Sequence, residues 1–300
     1  MAVVTSDFLA GLMTNFRAIF VTEFAAAQAV ADYLKLVTRF PSNSDKETYA
    51  WLGTVPAMRE WLDERAPRGL LASDFSITNK HYEASLEVDR DTLEDDKYGL
   101  IGPRIQQLAS EAARHPDELV FDFIEANGPA FDGTAFFADT RTIGDSGNID
   151  NLLGMACSGS TAEVLAGIAA AVVAMRRYCD DRGRPMNLSP DCIVCPPDME
   201  LLVKNALLPG VAGTARPELA YAGNIISSPY LANTVDWYMF CTARPIRPVF
   251  FQDRKAAEFT ALDQPTSEEA WKRRRLLYGV DARYAVGWGD PRYGIKLDDT

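Results

Sequence analysis

Few side chains in this sequence are spaced for chemistry. Cys192-Ile-Val-Cys195 has the spacing of a metal-binding or redox pair. A zinc site needs four ligands, and neither a second Cys-x-x-Cys nor a His-x-x-x-His occurs. The two histidines, His81 and His115, lie far from it in sequence. Residues three apart in a strand also point to opposite faces, so a buried core strand is the expected role. The acidic run Asp89, Asp91, Glu94, Asp95, Asp96 suggests calcium, but an EF-hand loop wants an oxygen ligand at its fifth position and glycine at its sixth. Leu93 and Glu94 stand there instead. Carboxylates in that place suit the positive end of a following helix, or pairing with another chain. Gly210-Val-Ala-Gly-Thr lacks the lysine of a phosphate cradle, and no nucleophile elbow or dinucleotide fingerprint is present. No carboxylate pair stands out as a general acid and base, so no catalytic residue, cofactor or metal is expected. The enzyme alternative is a cytoplasmic hydrolase or metal enzyme using Cys192 and Cys195 or the 89–96 run. Lys272-Arg-Arg-Arg275 is the one basic run. It reads as a solvated helix face or a set of salt bridges to another subunit, with nucleic-acid contact as the sharper alternative.

The totals narrow the classes further. A net charge of −12 argues against a dedicated nucleic-acid binder, which needs a basic footprint to neutralise phosphates. The 47 % apolar fraction supports a real core. No window of about 18 consecutive apolar residues occurs, so no membrane helix is expected. The N-terminus lacks the basic lead of a signal peptide. An odd count of five cysteines fits reduced thiols in a cytoplasmic setting.

The elements that must position these groups are organised around residues 82 to 128. Tyr82, Ala84, Leu86 and Val88 alternate with Glu83, Ser85, Glu87 and Asp89, the period of a half-buried strand. Ile101, Ile105, Leu108, Ala112, Leu119 and Phe123 then take helical spacing, which predicts a helix of about 40 Å. Pro103 suits its first turn, Asn127-Gly128-Pro129 closes it, and Pro116 predicts a kink or a split in two. Upstream, residues 7 to 37 read as one helix through Phe8, Leu12, Phe16, Phe20 and Phe24, ended by a loop from Arg39. It is either a core helix or an arm on a partner. Residues 58 to 65 suggest a short helix. The change of parity between Ile77 and Tyr82 implies a bulge or bend near Asn79-Lys80. Trp51 and Trp61, set among many charges, read as a local mini-core or as a projecting hairpin covered by another subunit. Residues 131 to 151 read as short strands and turns. Downstream, Ser160 and Glu163 form a capping box for a helix over 161 to 182, stopped by Gly183 and Pro185. A strand at 191 to 195, a helix opened by Pro196-Pro197, and strands near 224–228, 235–241 and 246–251 follow. Alternation of Val280, Ala282, Tyr284, Val286 and Trp288 marks a closing strand.

Several of these stretches, in order over about residues 40 to 140, resemble the phage Mu-type major head subunit family of Mu-like phages and prophages. They are Tyr49-Ala-Trp-Leu-Gly53 with Pro56-Ala-Met-Arg-Glu-Trp61, Ile77-Thr-Asn-Lys80 with Tyr82-Glu83, and Val88-Asp-Arg90 with Leu93-Glu-Asp-Asp96. His115-Pro-Asp117 and Phe131-Asp-Gly-Thr-Ala-Phe-Phe137 complete the set. Thr140-Arg141 departs from the family pattern, in which a histidine is expected after the two phenylalanines. The C-terminal half matches by order of elements.

The resemblance implies an α+β chain with the Hong Kong 97-like major capsid fold: N-arm, extended loop, spine helix, peripheral domain and axial domain. Residues 1–45 would be the arm, and 46–92 the extended hairpin loop and return strand. Residues 93–147 would hold the spine helix and first peripheral part, 148–245 the axial domain, and 246–300 the rest of the peripheral domain. The implied function is a major capsid protein of a tailed phage or prophage, self-assembling into an icosahedral shell around DNA. An encapsulin-like compartment is the alternative within that fold. The implied partners are other copies in pentamers and hexamers, a portal, separate scaffolding and protease proteins, a decoration protein and non-specifically contacted DNA, with no membrane. Trp51, Pro56, Arg59, Trp61, Arg65, Asp95, Asp96, Lys272, Arg273 and Arg274 are the candidate intersubunit contacts. No lysine lies between Glu47 and Asn79, so a lysine crosslink from the loop tip is not expected. About 45 residues precede the loop, too few for a long fused scaffold.

Overall fold

A computed structural model of the protein describes residues 6–52, 72–89, 99, 101–207, 224–262 and 267–299; for 6–14, 50–52, 72–73 and 270 it describes the backbone alone. The first helix, α1 (Ser6–Ala29), leads through a 3-10 turn (Asp32–Lys35) into β1 (Val37–Pro41). The hairpin β2 (Lys46–Leu52) and β3 (Ala72–Thr78) follows, then β4 (Lys80–Asp89) and the long helix α2 (Ile101–Ala126). The second half contains β5 (Leu152–Gly154), α3 (Thr161–Arg177), β6 (Cys192–Cys195), α4 (Pro197–Leu207), β7 (Ile225–Ser227) and β8 (Trp237–Phe240). It closes with β9 (Val249–Leu262), α5 (Glu268–Arg273), β10 (Arg275–Trp288) and β11 (Gly294–Asp298).

Two sheets carry the architecture. One has the order β1-β9-β10-β4, the other β5-β11-β8-β6-β7, and β2-β3 stands apart as a two-stranded sheet. The long helix lies along the first sheet. Its N-terminal half packs Ile101, Ile105 and Ala109 against Val88, Phe259, Leu276 and Tyr278, with Phe16 and Phe20 of α1 closing the cluster. Its C-terminal half packs Val120, Phe121 and Ile124 against Phe251, Tyr284 and Trp288. That cluster continues onto one face of the second sheet through Cys192, Val194, Tyr238 and Phe240. The other face, with Ile193, Cys195, Trp237 and Met239, is covered by α3 and α4. Alternation along β6 and β8 thus serves two cores at once, the reason those strands read as unbroken apolar runs.

The expected bend falls at Asn79, the single residue between β3 and β4. Alternation from Tyr82 to Val88 is seen as read, and Asn127 closes α2 at φ 46°. Asn at this left-handed position costs less than other non-glycine residues.

Other expectations need correction. The first helix ends at Ala29, well short of residue 37, and β1 replaces the early part of the predicted loop. The cause is tertiary: Asp117 Oδ1 of α2 accepts from the Tyr33 N–H at 2.7 Å and starts the 3-10 turn. Phe16 and Phe20 pack within their own chain, so this part of the segment is a core helix. The assignment of α2 is unbroken across Pro116, so the split does not occur. The ring is buried, and the preceding turn carries only Ala112 and Ala113 on its inner side. Helix α3 stops at Arg177, because Tyr178 turns extended (φ −60°, ψ 132°) and its hydroxyl donates to the Asp150 carbonyl. Gly183 instead serves the turn between Asp180 and Arg184, at φ 74°. The predicted strand near 246–251 begins at Val249 and runs on to Leu262, and β11 was missed altogether. Its five residues join the second sheet, paired with β8 and β5. The short helix near residue 58 lies outside the described residues.

Candidate assembly surfaces

The hairpin's foot is held by a compact polar knot. Asn79 donates from Nδ2 to Ser42 Oγ (2.9 Å) and the Ser44 carbonyl (2.8 Å), while its N–H reaches the Asp45 carbonyl (2.8 Å). Glu47 Oε1 accepts from the Asn43 and Ser44 N–H groups and from the Ser42 hydroxyl. Those donors hold the Glu47 carboxyl down at about 2. Phe40, Tyr49, Phe75 and Phe250 stack beside the knot, and Tyr49 donates to Gln252 (2.9 Å). Gly287 makes room here for Ile77: a Cβ would lie 2.3 Å from Ile77 Cδ1, and that buried side chain would have to shift.

Each residue of His115-Pro-Asp117 has a packing role. Asp117 sets the turn after α1, and Pro116 is core. His115 Nδ1 lies 2.6 Å from the Tyr284 hydroxyl, and its ring is 4.4 Å from that of Tyr82. Burial lowers the His115 pKa from its ordinary 6.5, against the opposing pull of Glu118 and Asp122. A base whose folded pKa is depressed is protonated first in the unfolded chain, so its neutral form stabilises above 6.5 and that share is lost as pH falls below it. Asp117 and Asp122, raised mainly by burial, act with the opposite sign at lower pH. We expect subunit stability to decline between pH 6.5 and 5.5 by at most about 1.4 kcal/mol per unit for one proton. The decline should be smaller in His115→Gln. Urea titrations at both pH values check this, and equal slopes in the two proteins would contradict it.

The turn-rich segment after α2 is organised by Arg141. Its guanidinium is buried and pairs with Asp132 (Nε to Oδ2, 2.7 Å). It also donates to the carbonyls of Phe136 (2.8 Å), Ala135 (2.6 Å) and Thr134 (3.1 Å). Fully buried Asn151 ties the same segment to the Pro291 carbonyl through Nδ2 (2.9 Å) and to the Ala138 N–H through Oδ1 (2.8 Å). Phe136 and Trp288 thereby stack at 3.9 Å. Beside them lies a groove of about 430 Å³, walled by Phe75, Tyr82, Leu119, Phe123, Phe131 and Trp288.

The predicted site residues divide sharply. Trp51 sits in β2 opposite Ser73, and its side chain is outside the described residues. Pro56, Arg59, Trp61, Arg65, Asp95 and Asp96, like the Gly210 cluster, also lie outside them. Lys272 and Arg273 are on α5, paired with Glu268 and Glu269 of the same helix. Arg274 follows at φ 53°, and Arg275 pairs with Glu87 (2.9 Å). Within the subunit the basic run is thus exposed and paired locally, on α5 and at the start of β10. Cys192 and Cys195 enter different cores, and burial pushes both thiols up to about 12. Among the described residues, no three His, Cys, Asp or Glu side chains cluster as metal ligands would. No helix there is long and apolar enough to cross a membrane. Sequence reading missed Arg141, Asn151 and Trp271. The run Asp132-Gly-Thr followed by an isolated arginine was the available signal for the first.

The model of the Mu-like prophage major head subunit gpT matches residues 9–162 and 209–295. The chain belongs to this family. It is therefore a major capsid protein, the structural subunit of a Mu-like phage head. The chain is similar to the Mu-like prophage FluMu major head subunit of Haemophilus influenzae, 25 % identical over 96 % of this chain and 72 % of the relative. It is 24 % identical to the major capsid protein of Escherichia phage Mu, with the same coverage. A subunit of the bacteriophage JBD30 procapsid superimposes with a TM-score of 0.57 at 24 % identity, over 97 % of this chain and 76 % of that one. That likeness shows the phage capsid fold for this head subunit.

Proposed function

We propose that the subunit closes an icosahedral shell around DNA by handing its β2–β3 hairpin, with segment 53–71 beyond it, to a neighbouring copy. One observation carries this reading: among the described residues the hairpin strands pair only with each other, outside both main sheets, while the foot is pinned by hydrogen bonds. An isolated two-stranded hairpin is marginal in water and gains stability when its apolar side is covered. Trp51, Pro56, Arg59, Trp61 and Arg65 would make that contact, and Asp95 and Asp96 would pair with a neighbour near the start of α2. Lys272, Arg273 and Arg274 would form exchangeable ion pairs at subunit edges.

In this scheme residues 1–45 hold the arm, 46–92 the extended loop and return strand, and 93–147 the spine helix with part of the peripheral domain. Residues 148–245 form the axial domain, with β11 contributing from the C-terminal part, and 246–300 complete the peripheral domain. The subunits form pentamers and hexamers, assemble in the host cytoplasm, and work mechanically without a catalytic residue. A portal, separate scaffolding and protease proteins and a decoration protein act with them, and an acidic shell lining limits adhesion of the packaged DNA.

Negative-stain microscopy of the expressed protein tests the reading. Capsomers or shells from the wild type, with folded but dispersed Trp51→Ala/Trp61→Ala protein, are the expected result. A wild type that stays monomeric at high concentration overturns it. Uniform shells from this chain alone would remove the scaffolding protein from the scheme.

A further inference from the structure

Trp271 is the most exposed of the large apolar side chains described, at 79 %. It sits on α5, at the tip of the hairpin joining β9 to β10, with Lys272, Arg273, Arg274 and Arg275 directly after it. An indole in water beside arginines is the composition of an interface anchor, since Trp and Arg dominate binding hot spots.

The same subunit carries a matching hole at the far end of the same strand. The groove of about 430 Å³ is walled mainly by aromatic and aliphatic side chains, with Val286 and Trp288 at the end of β10, and with Ser76, Thr78 and Lys80 on its strand side. Glu118, Asp122 and Glu125 run along α2 between and beyond its wall residues Leu119 and Phe123. Glu118 and Glu125 lie close enough to raise the Asp122 pKa together with burial. Glu125 is held by the Ala232 and Asn233 N–H groups, which leaves Glu118 and Asp122 on the α2 side of the groove, opposite Lys80, as the complement to an indole flanked by guanidinium groups. The intrahelical pairs of Lys272 and Arg273 are exposed and weak, so exchanging them for partners across an interface costs little.

Knob and hole cannot meet within one subunit. Residues 275 to 284 of β10 lie between the tip and the groove wall at Ala285, about 33 Å of paired strand at 3.3 Å per residue. We propose that Trp271 of one copy inserts into this groove of a second copy, with Lys272 and Arg274 facing Glu118 and Asp122. Such a contact is heterologous, one surface meeting a different one, and repeats until a ring closes. The inference rests on the chain acting as a shell subunit, and adds a contact distinct from the hairpin.

The test uses full-length protein in a Cys179→Ser background, since the other native thiols are buried. Trp271→Cys and Ser76→Cys variants are mixed, assembled and treated with a short bis-maleimide. Covalent dimers and higher ladders from the mixture, absent from either variant alone, are expected. Trp271→Ala should stay folded, because an exposed side chain supports no core, and should lose at least tenfold in shell yield. Wild-type yield from Trp271→Ala, or no crosslink in assembled mixtures, overturns the contact. A parallel Cys179→Ser sample that stays monomeric, forming neither capsomers nor shells, would instead fault the shell reading.

Discussion

Replacing Arg141 with leucine is expected to destabilise the subunit by about 3 kcal/mol or more. Breaking a buried pair by removing one partner leaves the other charge uncompensated, which costs about 3–5 kcal/mol. Asp132 retains some solvent contact, its side chain being 22 % exposed, so the lower end applies to that carboxylate. The carbonyls of Thr134, Ala135 and Phe136 would also lose their donor. Arg141→Lys keeps the charge but not the fork, and should fall between leucine and wild type. Denaturant unfolding of unassembled subunits measures all three. A loss below about 1 kcal/mol for Arg141→Leu would show that the turn segment does not depend on the guanidinium.

Trp237→Ala should cost a similar amount through a different mechanism. The indole is fully buried between the second sheet and α3, and its Nε1 donates to the Cys157 carbonyl at 3.1 Å. Truncating a buried tryptophan costs about 3–5 kcal/mol, because the surrounding chain closes the cavity only in part. Closure is hindered here by rigid neighbours on several sides, namely α3, β11 and the rest of β8. The fit is tight enough that a Cβ on Gly167 would lie 3.0 Å from the ring and 2.6 Å from Leu297 Cδ2. Thermal melts of the unassembled subunit should show a large drop in Tm, with partial recovery in Trp237→Phe. An unchanged Tm would mean that α3 is not held by this contact.

Much of this architecture follows from local pattern. The alternation from Tyr82 to Val88, the helical spacing from Ile101 and the Ser160 cap all appear where the residues place them. The N–H of Glu163 bonds Ser160 Oγ at 3.3 Å, while the Glu163 carboxylate reaches back to the Gly159 N–H. Element ends were less legible. The close of α1 depends on Asp117, 84 positions from Tyr33, and the stop of α3 on the Tyr178 hydroxyl meeting Asp150. The buried face of α2 is also turned from the predicted one, with Ala109, Ala113, Val120 and Ile124 innermost and Leu108, Ala112, Leu119 and Phe123 at its margin. The reason is that two sheets and α1 cover the helix together, so the most buried line follows their seam and not the line of largest residues.

By itself, the sequence determined the family and its capsid role, the strand-to-helix axis, and the burial of the Cys192 and Cys195 strand. Short-range periodicity and runs of specific residues encode such features, because they depend on neighbours within a few positions. Only the tertiary structure decided that Arg141 is a buried tie, that β11 joins the second sheet, and that Trp271 stands in water about 33 Å of strand from an aromatic groove. Each of those depends on pairings between distant stretches of chain, and no local period records which surface a long-range contact will cover.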